Sequence, residues 1–410
     1  MQDMEKTSSI MTKDSIAQYN NEIKLLDSDP DNNLSLYSYI RCTDDSNDIV
    51  KNSRGLIFHN DKLLVTSLGY TADYIADDIR ENPNLIGDIT KCDIYESEEG
   101  CLLRVFYFND KWYICTHRKL DAFKSKWSSK DSFGEIFKNA INDIKPYEEF
   151  LDTLNKDYKY LFLVRNNYEN RIVCQAPEKP TVFHVGTYDS ENNFKMTEEV
   201  GIPYPKKCNF QDIEDMLVFI ENEGFNRIQG VIVFSPNKVF KILNKEYLDF
   251  FKIRGNEPSI KYRYLQVRMD SEKLNKLYFL YPKFGDIFDQ YEDLIYKAAQ
   301  QINFFYIRRF IKKKYVTVPK EEYEVMKACH EWHKMDREKN RISIRKVISV
   351  LNEQSATALN KIIKRVKNSQ NQNSNYNYNQ GRERFLRPRA HTSPMIKSIP
   401  SKESISQLSI

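Results

Sequence analysis

Short apolar runs, each followed by a polar turn, dominate the chain up to about residue 265. Runs of β-branched and aromatic residues bounded by Asn, Asp, Ser and Pro are typical of hairpin strands. Between these runs, three segments space their apolar residues as one face of a helix does. The pattern therefore predicts antiparallel hairpins over 56–67, 101–116, 160–175 and 230–242, and helices over 131–144, 147–155 and 209–223.

The pattern becomes helical after about residue 270. Apolar residues recur close to every 3.6 positions through 290–314. Segments 320–339 and 343–367 are also predicted to be helical, and 351–355 is the place where one helix would end and another begin. Strand hairpins interleaved with short helices, followed by helices alone, predict an α+β fold with antiparallel sheets and an all-helical C-terminal domain.

The two ends of the chain are polar. The first 33 residues predict a loose arm with a short helix near 15–26. The last 42 residues are rich in Asn, Gln, Ser and Arg, and too polar to pack, so they are predicted to be a disordered tail. The expected organisation is an arm over 1–33, an α+β domain over 34–269, a basic helical domain over 270–368 and a basic tail over 369–410.

Charge is distributed unevenly along the chain. The net charge is only +4, but residues 301–410 contain 23 Lys and Arg against 9 Asp and Glu. A basic part attached to an acidic body favours a polyanion as partner, and RNA is the polyanion that we expect. The competing interpretation is a solvated helical face with a basic tail. The candidate RNA-binding residues are Arg308, Arg309, Lys312, Lys313, Lys314, Arg384, Arg387 and Arg389.

Several classes of protein are disfavoured by composition. The seven cysteines occur singly, which favours thiols in a reducing compartment. Spanning a bilayer takes a run of about 18 apolar residues, and the sequence contains no such run. The first residues also lack a secretory signal pattern. Cys329 and His333 have a spacing that metals use, but no second pair of ligands accompanies them, so no metal site is predicted. These observations favour a cytoplasmic protein.

Five short motifs carry the functional signal. They are Ser-Arg-Gly-Leu-Ile-Phe at 53–58, Glu-Ser-Glu-Glu-Gly at 96–100, Asn-Arg-Ile-Val at 170–173, Gln-Gly-Val-Ile-Val at 229–233, and Phe-Lys-Ile-Leu at 240–243 followed by Tyr247. In order and spacing they resemble the motifs of bacteriophage-type RNA ligases, a branch of the covalent nucleotidyltransferases. The resemblance covers about residues 34–255. It implies a nucleotidyltransferase-like fold with antiparallel sheets.

The resemblance also implies a chemistry. In that family a lysine amine attacks the α-phosphate of ATP and becomes lysyl-AMP, which requires an activated amine. Acidic side chains hold Mg²⁺ and contact the ribose, and further lysines neutralise the phosphates.

The abundance of Asn, Lys, Ile and Tyr indicates an AT-rich genome, which would suit a large DNA virus. A viral protein would be located in the host cytoplasm or in the virion.

The sequence departs from the family pattern at charged positions. Ser97 stands at the nucleophilic lysine, and Gln229 at the glutamate of the fourth motif. Glu99 replaces an aspartate, Phe162 an acidic residue and Leu243 the second lysine. We therefore expect no catalytic nucleophile and no self-adenylation. ATP would be bound with weak or absent Mg²⁺ dependence in a pocket of Arg54, Glu99, Gly100, Arg118, Phe162, Gln229 and Lys241.

Three alternatives stay open. An active ligase could use a displaced lysine, for which Lys91, Lys111 and Lys119 are the nearest candidates. The chain could instead be a structural scaffold for protein partners. The retained glycines could also belong to turns of an unrelated β-rich domain.

Overall fold

The protein is described by a computed structural model over residues 11–167, 171–196, 199–236 and 238–372. The first four residues of the tail predicted over 369–410 belong instead to the helix Ala356–Gln372. The rest of that tail, with Arg384, Arg387 and Arg389, lies outside the described residues. The chain divides into two compact units, here called unit 1 and unit 2, with the boundary between Pro258 and Ser259.

Unit 1 is built on antiparallel sheets. Its described strands are β1 Ile23–Asp29, β2 Leu34–Tyr39, β3 Leu56–His59, β4 Lys62–Val65, β5 Ala72–Ile75, β6 Asp93–Ser97, β7 Cys101–Phe108, β8 Lys111–Cys115, β9 Lys159–Arg165, β10 Thr181–Tyr188, β11 Phe194–Lys195, β12 Lys207–Cys208, β13 Gly230–Phe234 and β14 Val239–Leu243. These described strands form three sheets, ordered β1-β2-β3-β4, β11-β10-β9-β7-β8 and β12-β6-β13-β14-β5, and only the β14–β5 pair is parallel.

Three of the four predicted hairpins are confirmed: β3–β4, β7–β8 and β13–β14 pair antiparallel. The turns of β3–β4 and β7–β8 use residues that tolerate a left-handed backbone. Asn60 has φ 53°, and Asn109 and Asp110 have φ 47° and 59°. Asn and Asp accept this conformation more easily than other residues with side chains, which is why the turn signal was readable in the sequence.

The fourth predicted hairpin is wrong. Strand β9 pairs with β10, not with residues 171–175. The backbone N–H groups of Ile172, Val173 and Cys174 are directed to the carboxylate of Glu99 instead of a neighbouring strand. The arm prediction also missed β1, which pairs with β2 and buries Ile23.

Short helices cover the sheets of unit 1. Side-chain caps fix several starts: Ser132 forms a capping box with Glu135, and Asp212 and Asn244 accept from the backbone of the following turn. The three predicted helices are confirmed with shorter bounds. The helices are α1 Lys13–Ala17, α2 Asp48–Asn52, α3 Ala76–Glu81, α4 Phe133–Asn142, α5 Tyr147–Thr153, α6 Ile213–Asn222 and α7 Lys245–Arg254.

Unit 2 is helical over its described residues, as the sequence predicted. Ser355 accepts from the backbone of Ala358 and so begins a new helix, which divides the segment 343–367 at the expected place. The helices are α8 Ile260–Val267, α9 Ser271–Leu280, α10 Gly285–Tyr306, α11 Lys320–Met335, α12 Ile344–Asn352 and α13 Ala356–Gln372, and a π-helical turn Ile307–Ile311 follows α10. Among the described helices of both units, none has the length and apolar character that crossing a membrane requires.

Candidate nucleotide-binding site

The sheet that contains β6, β13 and β14 brings together three of the five ligase-like motifs, those at 96–100, 229–233 and 240–243. Ser97 ends β6 and pairs with Gly230, while Lys241 pairs with Ile232 on one side and Asp73 on the other. Gly230 has φ 146°, and a Cβ there would overlap the carbonyl of Ile242. Glycine is therefore required for the strands to approach so closely at this point.

A hydrogen-bond network centres on Gln229. Its Oε1 accepts from the Ser97 hydroxyl at 3.1 Å and from the Lys241 ammonium at 3.0 Å. Its Nε2 donates to the Tyr247 hydroxyl at 2.9 Å. These four residues are called the Gln229 cluster below. A neutral amide thus serves two donors and one acceptor at the position where the resemblance to RNA ligases implies a glutamate.

The backbone holds the Gln229 cluster in place. The Gln229 N–H donates to the Ser97 carbonyl at 2.9 Å, and the Gln229 carbonyl accepts from Asn244 N–H at 2.8 Å. Asn244 in turn caps α7 and accepts from the Tyr247 N–H at 3.0 Å. Ser97 and Gln229 are therefore fixed at strand ends and Tyr247 by a helix cap, while Lys241 lies within the paired strand β14.

Glu99 is held by the backbone of a neighbouring loop. Its carboxylate accepts from the N–H groups of Ile172 at 2.8 Å, Val173 at 2.9 Å and Cys174 at 3.1 Å. Burial raises the pKa of this carboxyl despite these hydrogen bonds. The lone pairs that would bind a metal or a ribose are therefore already used by the protein.

Lys241 lies in a field of mixed charge. Burial lowers its pKa, Asp73 and Glu99 oppose that shift, and Arg54 adds to it. Burial, together with the negative charge of Glu99, raises the pKa of Tyr247. Burial also raises the pKa of Asp73, which Lys241 and Arg54 counteract. The interactions place Arg54 and Asp73 beside the Gln229 cluster.

A second basic group lies next to Arg54. Arg104 is fully buried and donates to the carbonyls of Gly55 and Thr116. The ring nitrogens of His117 are buried and have no hydrogen-bond partner among the described residues. Burial, reinforced by Arg54 and Arg104, lowers the pKa of His117 well below its usual value. His117 is therefore neutral near pH 7.

Four cations lie in this region: Arg54, Arg104, Arg118 and Lys241. Within the described parts of the chain, no carboxylate lies within ion-pair distance of any of them, whereas other cations of unit 1, such as Arg165 and Lys206, do have such partners. Arg118 is exposed and contributes to the lowered pKa of His117. Buried unpaired charge is costly, so an anion would be favoured here.

Two predicted pocket residues occupy other surroundings. Phe162 is fully buried among Phe137, Phe150 and His184, in the core between the sheet and α4. A Cβ at Gly100 would lie 2.6 Å from the Val164 carbonyl oxygen, so its missing side chain permits close packing of β9.

The three candidate displaced lysines are engaged in ion pairs on other elements. Lys91 pairs with Asp88 at 3.2 Å, Lys111 with Asp29 at 3.6 Å, and Lys119 with Asp27 at 3.5 Å. Lys241 lies closer to the Ser97 position, because its Nζ and the Ser97 hydroxyl donate to the same Gln229 oxygen.

The residues of the site do not fit a divalent cation. Magnesium prefers several carboxylate or carbonyl oxygens in near-octahedral geometry. Gln229 is neutral, Glu99 is held by backbone N–H groups, and the described residues contain no group of three or more His, Cys, Asp or Glu that could hold a metal. Cys329 is buried and His333 bonds the Asn340 carbonyl at 2.7 Å.

The candidate RNA-binding residues of unit 2 follow α10. Arg308 and Lys312 to Lys314 are exposed. Arg309 is half-buried, donates to the Val316 carbonyl at 3.4 Å and lies 5.1 Å from the Tyr323 ring centre. Arg309 therefore holds the following loop in place.

Sequence reasoning missed Asp73, Arg104 and His117. Arg104 carried a readable signal, because it interrupts the apolar run Leu103–Phe106 of a predicted strand. Asp73 and His117 carried none, since only the register of β5 and the turn after β8 place them beside Arg54 and Lys241.

Solved structures of nucleic-acid ligases resemble this fold. One is a protein of Aquifex aeolicus assigned as an ATP-dependent DNA ligase, with a TM-score of 0.39 and 14% identity, covering 71% of this chain and 79% of that one. Another is a mutant of the Naegleria gruberi RNA ligase with ATP and Mn, with a TM-score of 0.33 and 11% identity, covering 45% and 58%. At such scores they carry no argument about this site.

Relatives in sequence are viral, in line with the expected source. The immediate-early protein ICP-46 homolog of Invertebrate iridescent virus 6 is 30% identical over 346 residues, 76% of each protein. ICP-46 of Frog virus 3 is 26% identical over 237 residues, 52% of this chain and 58% of that protein. No protein-family model matches. The chain belongs to the family of immediate-early protein ICP-46 and its homologues.

Proposed function

We propose that unit 1 binds a nucleoside triphosphate such as ATP without forming a covalent intermediate, and that the chain also binds RNA. The observation that carries this proposal is a group of cations that have no ion-pair partner among the described residues. Lys241 lies in the Gln229 cluster, Arg54 acts on both Lys241 and His117, and Arg118 acts on His117. The phosphates of a triphosphate would supply the anionic partner that Arg54, Arg118 and Lys241 do not have among the described residues. Such charge-assisted contacts are stronger than neutral hydrogen bonds.

Self-adenylation is disfavoured by the same geometry. The Ser97 hydroxyl donates to Gln229, and a hydroxyl needs an adjacent base to become a nucleophile. The Gln229 amide accepts a hydrogen bond from this hydroxyl but cannot remove its proton, because an amide is not a base near pH 7. With Glu99 already held by three backbone N–H groups, little remains to bind Mg²⁺.

RNA is the proposed macromolecular partner. The support is the excess of basic residues after position 300 and the exposure of Arg308 and Lys312 to Lys314. Phosphate contacts by such residues are tolerant of sequence and depend on salt.

The nucleotide proposal is tested with calorimetric titration of ATP into the full chain, with and without Mg²⁺. Lys241→Met should weaken binding about tenfold or more, and Lys241→Arg should retain most of it. The matched control is Lys238→Met, on the same hairpin but over the rings of Tyr74 and Phe240. Equal affinity for the Lys241→Met and Lys238→Met variants would overturn the pocket.

Lys241 also favours a second candidate function, a nucleotidyltransferase with a relocated nucleophile. Its Nζ and the Ser97 Oγ bind the same Gln229 oxygen, at 3.0 and 3.1 Å. Burial lowers its pKa, which increases the unprotonated fraction. In that reaction Nζ would attack the α-phosphorus, lose a proton to solvent and form a P–N bond as the P–O bond to pyrophosphate breaks.

The two candidates differ in one readout. Label from α-labelled ATP that survives denaturation in the wild type and is absent from Lys241→Arg would establish the nucleotidyltransferase. Absence of both nucleotide and RNA binding would leave a scaffold for protein partners as the remaining function.

A further inference from the structure

The end of α10 carries exposed apolar side chains next to exposed cations. Residues 304–315 are here called the basic–aromatic segment. Tyr315 is 89% exposed, Ile311 64% and Phe304 53%. Every residue from Ile311 to Tyr315 is exposed. Exposed apolar groups that cluster among polar ones mark interaction sites more often than isolated ones do.

Among the described residues, no carboxylate lies within ion-pair distance of Arg308, Arg309, Lys312, Lys313 or Lys314. Some cations elsewhere in unit 2 are paired, for example Arg268 with Glu292 at 2.7 Å and Arg365 with Glu322 at 2.7 Å. Five adjacent positive charges repel one another, and a polyanion would remove that repulsion.

Backbone hydrogen bonds fix the conformation of the basic–aromatic segment. After the π-helical turn, Lys312 N–H donates to the Ile307 carbonyl at 2.8 Å and Lys314 N–H to the Arg308 carbonyl at 2.9 Å. Lys313 adopts a left-handed backbone with φ 54°. Arg309 braces the loop through the Val316 carbonyl. The π-helix is uncommon and is often found at functional sites.

Aromatic and cationic groups are interleaved at contact distance. The Arg308 guanidinium lies 5.4 Å from the centre of the Phe304 ring, which is a cation–π geometry. Planar groups of this kind stack on unpaired bases, and lysines beside them contact phosphates. A duplex keeps its bases stacked inside, so it would leave the Tyr315 ring without a partner.

We propose that the basic–aromatic segment binds a single-stranded polynucleotide, with bases stacking on Tyr315 and on the Phe304–Arg308 pair and phosphates contacting Lys312 to Lys314. This inference rests on the RNA binding proposed above and adds the form of the strand and the mode of recognition. Single-stranded RNA and single-stranded DNA share this chemistry. The choice between them depends on contacts to the 2′-hydroxyl.

The test is fluorescence anisotropy of the full chain with labelled single-stranded RNA, the same sequence as DNA, and the RNA duplex. Tyr315→Ala should weaken single-strand binding on the order of tenfold, because stacking contributes roughly 1–3 kcal/mol per base. Its salt dependence should be unchanged. Replacing Lys312, Lys313 and Lys314 together by Ala should lower the salt slope by about 2, since each phosphate contributes roughly 0.7.

Matched controls separate the segment from general surface effects. Met335→Ala removes a side chain that is 80% exposed. Lys273→Ala removes a cation that pairs with Asp270 at 2.8 Å. Both variants should bind the single strand as the wild type does.

Three results would overturn the inference. They are unchanged affinity of Tyr315→Ala, duplex binding as tight as single-strand binding, and Tyr315-dependent binding to vesicles of anionic lipid with none to polynucleotide. Its failure is distinguishable from failure of the nucleotide pocket. The segment variants should keep ATP binding, and Lys241→Met should keep single-strand binding.

Discussion

At the scale of single residues, the Gln229 cluster depends on one amide. Gln229→Leu would leave the Tyr247 hydroxyl, the Ser97 hydroxyl and the Lys241 ammonium without their shared partner. Ser97 and Tyr247 are buried, and leaving a buried polar group without a partner costs about 1–3 kcal/mol. We expect the free energy of unfolding of unit 1 to fall by about that much. It is measured by urea unfolding, with hydrogen exchange of the unit 1 peptides as the readout. Gln211→Leu, at an exposed position, is the control, and an equal loss in both variants would contradict the network.

His117 gives a second residue-scale prediction, on pH. Its pKa is lowered in the folded chain by burial and by Arg54, Arg104 and Arg118. The unfolded chain therefore binds a proton below about pH 6.5 that the folded chain does not. Stability of the wild type should fall as pH drops from 7 to 5, by up to about 1.4 kcal/mol per pH unit.

The pH effect is measured by comparing variants. His117→Phe removes the titrating ring, so its stability relative to the wild type should increase as pH falls. His59→Phe, outside the site, is the control. A pH-independent difference for His117→Phe would show that the ring is not held neutral.

At the scale of elements, close strand approach fixes the site. Gly230→Ala would force a Cβ into the Ile242 carbonyl at a backbone angle that side chains rarely adopt. We expect it to destabilise unit 1 by about 1–3 kcal/mol and to weaken ATP binding. Gly285→Ala is the control, because a Cβ at that position would lie 3.8 Å from the nearest atom, in the Tyr278 ring. Similar unfolding midpoints for the two variants would argue against a strained strand junction.

Element type was predictable where local chemistry decides it. Asn60, Asn109 and Asp110 signalled their turns because short polar side chains tolerate the left-handed region. The error at residues 171–175 has a different cause. Those N–H groups bind Glu99, which lies more than 70 residues earlier in the chain. A contact so distant in sequence leaves no mark on local periodicity.

The candidate site was predictable only in part, for the same reason. Arg54, Gln229 and Lys241 could be named because each lies in a motif. The partners Asp73 and His117 come from strand register and a turn, and the packing of Phe162 in the core depends on β10 and α4. Motif order identifies which residues matter, but it does not identify what surrounds them.

At the scale of the whole molecule, charge is separated along the chain. Residues 369–410 contain 6 Lys and Arg against 2 Asp and Glu. Removing them should weaken RNA binding and flatten its salt dependence, by roughly 0.7 per lost phosphate contact. Thermal unfolding and ATP binding of the remaining chain should not change. Unchanged RNA binding would assign the contacts to the basic–aromatic segment or to unit 1.

The central claim is that the site holds a nucleotide without bonding to it covalently. One sample of the full chain with α-labelled ATP tests this directly. Label is counted on a filter under native conditions and again after denaturation. We expect label that is retained natively, is reduced in Lys241→Met and is lost completely on denaturation. Label that survives denaturation, or no native retention at all, would contradict the account.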